Sequence, residues 1–394
     1  MKDDLNALTL KAIQSIVGTK QVDLHSPSFT GNEVHYLKEC IDQGYVSSIG
    51  QFVEEFESQL AKYTGAKYAV ATVNGTAALH ISLKIIGVGH NDEVLIPSLS
   101  FVATANAVLY CQAVPHFVDS SRQTLGIDTD LLTRYLKTTT EIRNGSCINK
   151  TTGRTIRAIV PMHTYGHPVD IEKLLKLAHD FRLTVVEDAA ESLGSMYNNQ
   201  HVGTFGATGA LSFNGNKIVT TGGGGAILTN SRNHAETARH ITTTAKIPHS
   251  WDYSHDVMGY NYRMPNLNAA LGCAQLENLP TFLVAKRHLH QRYIKAFQNI
   301  NNLTIFTEPP YAKSNYWMQL LIMEQSMRDR RNKLLEFLNN NNVRARPTWR
   351  LLHKLAYLNH HPRMPIINAS VLENSIINIP SGVDVLQSQT AISA

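Results

Sequence analysis

The 394-residue sequence predicts an α/β protein with a mostly parallel sheet and a smaller C-terminal α/β domain. Two observations support this fold class. Short β-branched runs alternate with helical patterns along most of the chain, as is typical of parallel strands covered by helices on both faces. The length and the 43% hydrophobic fraction allow a full core and favour two domains.

The first elements are a helix and a strand-helix unit. Apolar residues recur every four positions over residues 52–60, as expected of a buried helix face, and Gly65 supplies a stop signal. A strand over 68–72 follows, and Asn74-Gly75-Thr76 opens an apolar helix over 77–86. Further strands are predicted over 93–97, 116–119, 157–162, 184–187, 209–213 and 225–229, with a helix over 171–182. We interpret the polar residues 138–155 as a surface excursion.

The chain is predicted to divide into three parts. Residues 1–23 form an N-terminal helical extension, residues 24–280 the large domain, and residues 281–394 the small domain. Within the small domain we expect a helix over 284–299, a strand over 316–323, a helix over 326–340 and an extended run at Asn378-Ile379-Pro380.

Composition argues against several classes of protein. The net charge of +5 is scattered, which favours a basic surface or affinity for small anions over nucleic-acid binding. The four cysteines lie far apart without CxxC spacing, so we expect a reducing cytoplasm, no disulfide framework and no cysteine-based zinc site. No apolar stretch approaches the roughly 18 to 20 residues that span a bilayer, so no membrane association is expected.

Polar and aromatic residues follow the predicted strands at one edge of the sheet. In open α/β sheets, ligands bind where the carboxyl ends of strands meet helix N-termini. The residues that lie at or after a strand end in this way are Gly75, Thr76, Phe101, His163, Asp188, Ser212 and Lys217. We therefore expect these side chains to share one crevice.

Lys217 and Asp188 are the residues that pyridoxal phosphate (PLP) chemistry requires. That cofactor needs a lysine amine to hold its aldehyde and a carboxylate to keep its pyridine nitrogen protonated. Each residue alone has an ordinary explanation, because a lysine before a glycine run is often a solvated loop residue and an aspartate can be a helix cap. The prediction rests on their occurrence together.

The remaining candidates fit other parts of the same cofactor. Gly75 and Thr76 at a helix start, with Ser212, suit a phosphate. Phe101 suits the face of the pyridine ring. Glu191 is able to hydrogen-bond the phenolic oxygen or to serve as an acid in a first helical turn. Taken singly, each has an ordinary structural explanation. Gly75-Thr76 is then part of an N-cap, Ser212 a structural serine and Phe101 a core aromatic.

Six motifs resemble the DegT/StrS family of PLP-dependent sugar aminotransferases, over residues 24–380. They are residues 50–57 (GQFVEEFE), 74–79 (NGTAAL), 101–106 (FVATAN), 187–192 (EDAAES), 212–217 (SFNGNK) and 259–264 (GYNYRM). The resemblance implies the aspartate aminotransferase (type I) fold. It implies that Lys217 holds PLP as a Schiff base, Asp188 pairs with the pyridine nitrogen and Phe101 covers the ring.

The same resemblance implies the rest of the site and the reaction. Gly75, Thr76 and Ser212 would hold the phosphate, with Asn261 supplied by the other subunit of a homodimer, while Glu191 stands where the family has glutamine, glutamate or histidine. An amino group would pass from glutamate to the 4-keto carbon of a nucleotide-linked 6-deoxy sugar. The segments at 24–29 and 44–48 are most similar to aminotransferases of legionaminic-acid and related nonulosonic-acid pathways. The tail, residues 383–394, lacks the final amphipathic helix that the family leads us to expect.

Three alternatives remain open. A PLP-dependent sugar dehydratase shares the fold, but such dehydratases replace the Schiff-base lysine with histidine. A non-catalytic regulator would be expected to lose Lys217 or Asp188. A nicotinamide oxidoreductase would require a GxGxxG fingerprint, which the glycines 222–225 do not form. The pattern leaves open whether Arg344, Arg346 and His353 meet an anionic group or lie on the surface.

Overall fold

The computed structural model describes residues 5–384, which contain eleven α-helices. The helices are α1 (Leu5–Val17), α2 (Glu33–Gln43), α3 (Gln51–Thr64), α4 (Gly75–Ile85), α5 (Val102–Tyr110), α6 (Thr129–Thr139), α7 (Ile171–Asp180), α8 (Arg232–Thr242), α9 (Asn266–Phe297), α10 (Arg331–Asn340) and α11 (Asn368–Ser375).

The same residues contain sixteen strands. They are β1 (Tyr68–Thr72), β2 (Glu93–Pro97), β3 (Val114–Val118), β4 (Thr140–Arg143), β5 (Ser146–Asn149), β6 (Thr155–Ile159), β7 (Thr184–Asp188), β8 (Met196–Tyr197), β9 (Gln200–His201), β10 (Thr208–Ser212), β11 (Gly225–Thr229), β12 (Leu303–Ile305), β13 (Ala312–Lys313), β14 (Gln319–Met323), β15 (Arg346–Pro347) and β16 (Ile376–Ile379).

A nine-stranded sheet forms the centre, with main order β1-β11-β10-β7-β6-β2-β3. The pairs from β10 to β3 along this order are all parallel. Strand β11 runs antiparallel to both of its neighbours, and the hairpin β4-β5 joins β6 through an antiparallel pairing. The predicted α/β class with a mostly parallel sheet is confirmed.

Helices cover both faces of this sheet, because alternate strand residues point to opposite sides. In β1, Val70 belongs to the core cluster that includes residues of α4 and α5. Its neighbours Ala69 and Ala71 belong to the cluster that includes residues of α3 and α9. The carboxyl ends of the parallel strands are therefore left at one edge, between two helical layers.

A second, antiparallel sheet of order β12-β14-β16-β15 lies in the C-terminal part of the chain. Apolar residues of this sheet share a core cluster with α1, the second half of α9 and α10. Ile13 and Ile16 of α1 are fully buried there. The N-terminal helix is thus part of the packing around the second sheet.

The largest difference from the prediction concerns Pro280. The helix expected to begin at residue 284 begins at Asn266, so that Pro280 lies inside the 32-residue helix α9. A proline normally ends or kinks a helix, because it lacks an N–H and its ring clashes with the preceding turn. Here Pro280 is exposed, and α9 packs against α1, α2 and α3, so tertiary packing maintains the helix. The division at residue 280 stays a prediction.

Other boundaries differ for local reasons. The strand expected from 316 begins at Gln319, and Tyr316 has a positive φ of 48° that does not fit a strand. The helix expected to end at 182 ends at Asp180, before Arg182 with φ 58°. The excursion at 138–155 is an ordered hairpin in which Cys147 is buried. Most of the tail at 383–394 lies outside the described residues.

Candidate active site

A cleft of about 320 Å³ lies at the carboxyl edge of the central sheet. Seven of the eight predicted site residues line it: Gly75, Thr76, Phe101, Asp188, Glu191, Ser212 and Lys217. His163, expected at the same edge, is buried behind the cleft, where its Nε2 lies 3.0 Å from Glu187. The structure brings the other residues of the predicted crevice together in this one cleft.

The N-terminus of α4 forms one end of the cleft. Asn74 caps the helix, since its side chain accepts a hydrogen bond of 2.8 Å from the Ala77 N–H. A Cβ added at Gly75 would lie 2.7 Å from the Cβ of Ser212, so only glycine lets the helix start approach that hydroxyl. Backbone N–H groups, the positive end of the helix dipole and two hydroxyls (Thr76 and Ser212) are features that favour a phosphate.

Asp188 lies at the end of β7 and is almost fully buried. Its Oδ2 accepts a 2.7 Å hydrogen bond from the Thr104 hydroxyl, and its Oδ1 accepts one of 3.2 Å from the Ala190 N–H. Burial raises the pKa of this carboxyl above its ordinary value, and the Thr104 hydrogen bond partly offsets that effect. Burial destabilises the ionised carboxylate, and a cationic ring nitrogen beside it would stabilise that form.

Lys217 lies in the turn after β10, where its N–H donates to the Asn214 carbonyl at 2.9 Å. Its Nζ is 3.4 Å from Glu191 Oε1 and 4.1 Å from the centre of the Trp317 ring. The side chain is only 12% exposed, so the amine points into the protein and not into solvent. This position excludes the ordinary alternative of a solvated loop lysine.

Glu191 contacts Lys217 in this structure. Its Oε2 accepts a 2.8 Å hydrogen bond from the Tyr165 N–H, and its Oε1 faces Lys217. Burial raises the pKa of Glu191 to about 7, although the charge of Lys217 acts in the opposite direction. The predicted contact of Glu191 with a phenolic oxygen stays a prediction.

Aromatic side chains form the outer wall of the cleft. Phe101 is 49% exposed, and its ring centre is 6.3 Å from that of Trp349. The ring of Trp349 stacks on that of Tyr165, with 4.6 Å between the ring centres. The ring centre of Trp317 lies 6.1 Å from that of Tyr165. The sequence analysis missed both tryptophans. Their rarity was an available signal, because the chain has only three and two of them line the cleft.

The structure places the three basic residues in different surroundings. Arg346 lines the cleft. Arg344 is exposed, and its backbone N–H pairs with the Val22 carbonyl. His353 bonds the Ser98 hydroxyl through Nδ1 at 2.6 Å. Of these three, Arg346 is the one that lines the cleft, so it is the one placed to meet an anionic group there.

Asn261 is the predicted site residue that does not line this cleft. It is exposed and forms an isolated bridge with Thr243. Nearby residues include the exposed side chains of Trp251, Tyr253 and Met258. The prediction that Asn261 reaches the site of a partner subunit is untested.

Comparison with known proteins identifies the chain. The family model described as the DegT/DnrJ/EryC1/StrS aminotransferase family matches residues 27–392. The chain belongs to this family. GDP-perosamine synthase from Escherichia coli O157:H7 is 36% identical to it over 92% of this chain and 93% of its own length.

Two further relatives agree. EpsN of Bacillus subtilis (strain 168), named as a pyridoxal phosphate-dependent aminotransferase, is 35% identical over 85% of this chain and 83% of its own. A solved structure of a DegT DnrJ EryC1 StrS aminotransferase from Brucella abortus superposes with a TM-score of 0.81 at 25% identity, covering 91% of this chain and 95% of that one. These relatives confirm the predicted aspartate aminotransferase (type I) fold.

The chain is a PLP-dependent aminotransferase, and its cleft fits the cofactor. The absence of a side chain at Gly75 leaves room for a phosphate. Asp188 offers a buried carboxylate to the ring nitrogen, and Lys217 offers an amine to the aldehyde. Within residues 5–384 there is no cluster of side chains suited to a metal ion, and no helix long and apolar enough to cross a membrane. The four cysteines are buried and free. The legionaminic-acid subgroup stays a prediction.

Proposed function

We propose that this aminotransferase moves an amino group from glutamate to the 4-keto carbon of a nucleotide-linked 6-deoxy sugar, in nonulosonic-acid or surface-glycan biosynthesis. The observation that carries the proposal is the placement of Lys217 beside Asp188 and the phosphate cradle in one cleft. The nucleotide-sugar substrate is supported by the 36% identity to a GDP-perosamine synthase over nearly the whole chain. The amino donor and the 4-keto position rest on the motif resemblance.

Each residue has a defined task in this reaction. When bound, PLP supplies an electron sink for the carbanion at the donor α-carbon. Asp188 keeps the ring nitrogen protonated through a charge-assisted hydrogen bond. Lys217 Nζ takes the proton from the α-carbon of the amino donor, and later gives a proton to C4 of the sugar.

The surroundings keep these groups in place. Glu191 accepts from the Lys217 amine and is itself fixed by the Tyr165 N–H. The ring of Trp317 covers the same amine and shields it from water. Thr104 holds Asp188. This arrangement favours proton transfer by Lys217 over the dehydratase chemistry, which the family associates with histidine at that position.

The proposal extends to a cytoplasmic homodimer that shares its active sites. Asn261 does not line the cleft of its own subunit, and this is the arrangement expected if it completes the phosphate site of a partner. A residue supplied in this way leaves each monomer with an incomplete site. The active species would then be the dimer.

The test is a pair of half-reactions followed by absorbance. Incubation of the PLP form with glutamate should remove its visible band, and a nucleotide-linked 4-keto-6-deoxy sugar should restore it. Such alternation implies ping-pong kinetics. If glutamate removes the band and only free keto acids restore it at full rate, the sugar proposal is wrong and the chain is a general amino acid transaminase.

A further inference from the structure

His25 is a partly buried histidine, close enough to Arg346 and Lys217 to feel their charges, that the mechanism above does not use. Within the described part of the chain, both of its ring nitrogens are closed to solvent and neither has a hydrogen-bond partner. A buried polar group without a partner is costly and is uncommon in folded proteins. Such a group next to an active site indicates a ligand that is needed to complete its hydrogen bonds.

The backbone fixes the position of His25. Val22 and Val343 form a parallel bridge, and the Arg344 N–H donates to the Val22 carbonyl at 3.1 Å. The two segments run in the same direction, so His25 and Arg346 each lie three residues beyond that bridge. On the other side, the Ser381 N–H donates to the Leu24 carbonyl at 2.7 Å. This pairing brings the backbone segment of His25 close to that of Arg346, the arginine that lines the cleft.

Three basic side chains, those of Lys286, Lys217 and Arg346, act on this imidazole, although burial also lowers the pKa of Lys286 and the Asp384 carboxylate lies beside Gly382. The Nζ of Lys286 donates to the carbonyls of Ser381 and Trp317, and the Trp317 ring lies against Lys217. Burial, together with the charges of Lys286, Lys217 and Arg346, holds the pKa of His25 well below its usual value. His25 is thus a neutral N–H donor in a positive environment, which favours an anionic oxygen as its partner.

We propose that His25 and Arg346 together bind the α-carboxylate of the amino donor, with the imidazole donating a hydrogen bond and the guanidinium supplying the counter-charge. This inference rests on the proposed function. The α-carboxylate is bonded directly to the carbon from which Lys217 takes a proton, so it must lie close to that amine. The diphosphate of a nucleotide sugar is several bonds from C4, so it lies farther from that amine than the α-carboxylate of the donor does.

The experiment compares His25→Ala and His25→Gln with His234→Gln, a half-buried histidine on α8 that serves as control. The rate at which glutamate, glutamine or aspartate removes the visible band is measured against amino acid concentration for the holoenzyme. For the best donor, His25→Ala should raise the half-saturating concentration about 10- to 100-fold, the usual effect of losing one hydrogen bond to a charged group. His25→Gln keeps an N–H, so its half-saturating concentration should rise less than that of His25→Ala. The control His234→Gln should have the wild-type value.

Two further measurements separate binding from folding and from the other substrate. Calorimetry should show that the PLP form of His25→Ala binds 2-oxoglutarate more weakly than wild type does, by a similar factor. No turnover occurs in this measurement, and the cofactor content of the two proteins should be the same. The half-reaction with the keto-sugar nucleotide should be unchanged within about twofold. Unchanged donor saturation in His25→Ala, or a change confined to the sugar half-reaction, overturns the inference and leaves the proposed function intact. A wild-type enzyme that reacts with no amino acid overturns both.

Discussion

The hydrogen bond from Thr104 to Asp188 should make the stability of the cofactor-free protein depend on pH in a specific way. Thr104→Val keeps the side-chain shape and removes the hydroxyl that donates to Asp188 Oδ2 at 2.7 Å. The carboxyl is buried, so no solvent replaces the lost donor without rearrangement. Loss of a hydrogen bond to an ionised group costs about 1.5–3 kcal/mol, against about 0.5–1.5 kcal/mol for a neutral pair.

The direction of the pH dependence follows from the raised pKa of Asp188. A carboxyl whose folded pKa lies above its unfolded value stabilises the fold below the unfolded pKa and loses that contribution as pH rises through the folded pKa. Burial already places Asp188 in this class, and Thr104→Val raises its folded pKa further. The free energy of unfolding lost in the variant should therefore grow as the pH rises through the raised pKa of Asp188.

The assay is denaturant unfolding of the cofactor-free protein at several pH values. Thr133→Val is the matched control, because that hydroxyl donates to the Thr129 carbonyl, a neutral group on α6. The control should lose the same free energy at every pH. If the free energy of unfolding lost in Thr104→Val is also the same at every pH, the Thr104 hydroxyl does not stabilise the ionised form of Asp188. That result would refute the argument.

Four further predictions concern the site itself. Lys217→Ala should lose the visible cofactor band and turnover, and full activity in it would sink the assignment. Gly75→Ala should shorten cofactor retention and cost about 1–3 kcal/mol of stability by overpacking against Ser212, whereas Gly89→Ala, with open space around the added methyl, should match wild type in a dissociation assay. Asn261→Ala should weaken PLP retention, yet mixing it with Lys217→Ala subunits should restore activity in one hybrid site; no recovery would contradict the shared site. Glu191→Gln should remove an ionisation near pH 7 from the pH profile of the donor half-reaction, and an unchanged profile would exclude Glu191 as its source.

The chemistry of the site could be predicted where it depends on local sequence. Asp188 ends β7 and Lys217 lies in the turn after β10, and the carboxyl ends of parallel strands converge whatever the rest of the chain does. Gly75 and Thr76 were found in the same way, from a strand followed by a helix start. These predictions needed only element order and residue type.

The supporting residues could not be predicted in that way. Thr104 is 84 positions from Asp188, and Trp317 is a hundred positions from Lys217. Their role depends on how separate segments pack, which no local pattern contains. Pro280 illustrates the same limit, because a strong local breaker is overridden by the helices that pack on α9.

The charges in the cleft explain why cofactor binding and folding should be coupled. Two buried carboxylates, Asp188 and Glu191, face the single ammonium of Lys217, and burial raises the pKa of both carboxyls. Without a further positive group, one carboxyl is driven towards its neutral form. A protonated ring nitrogen at Asp188 reduces that imbalance, and the guanidinium of Arg346 remains available for the donor carboxylate. A ligand that binds only the folded state raises the free energy of unfolding, and a tighter ligand raises it more. The cofactor should therefore stabilise the fold, mainly through its ion pair with Asp188.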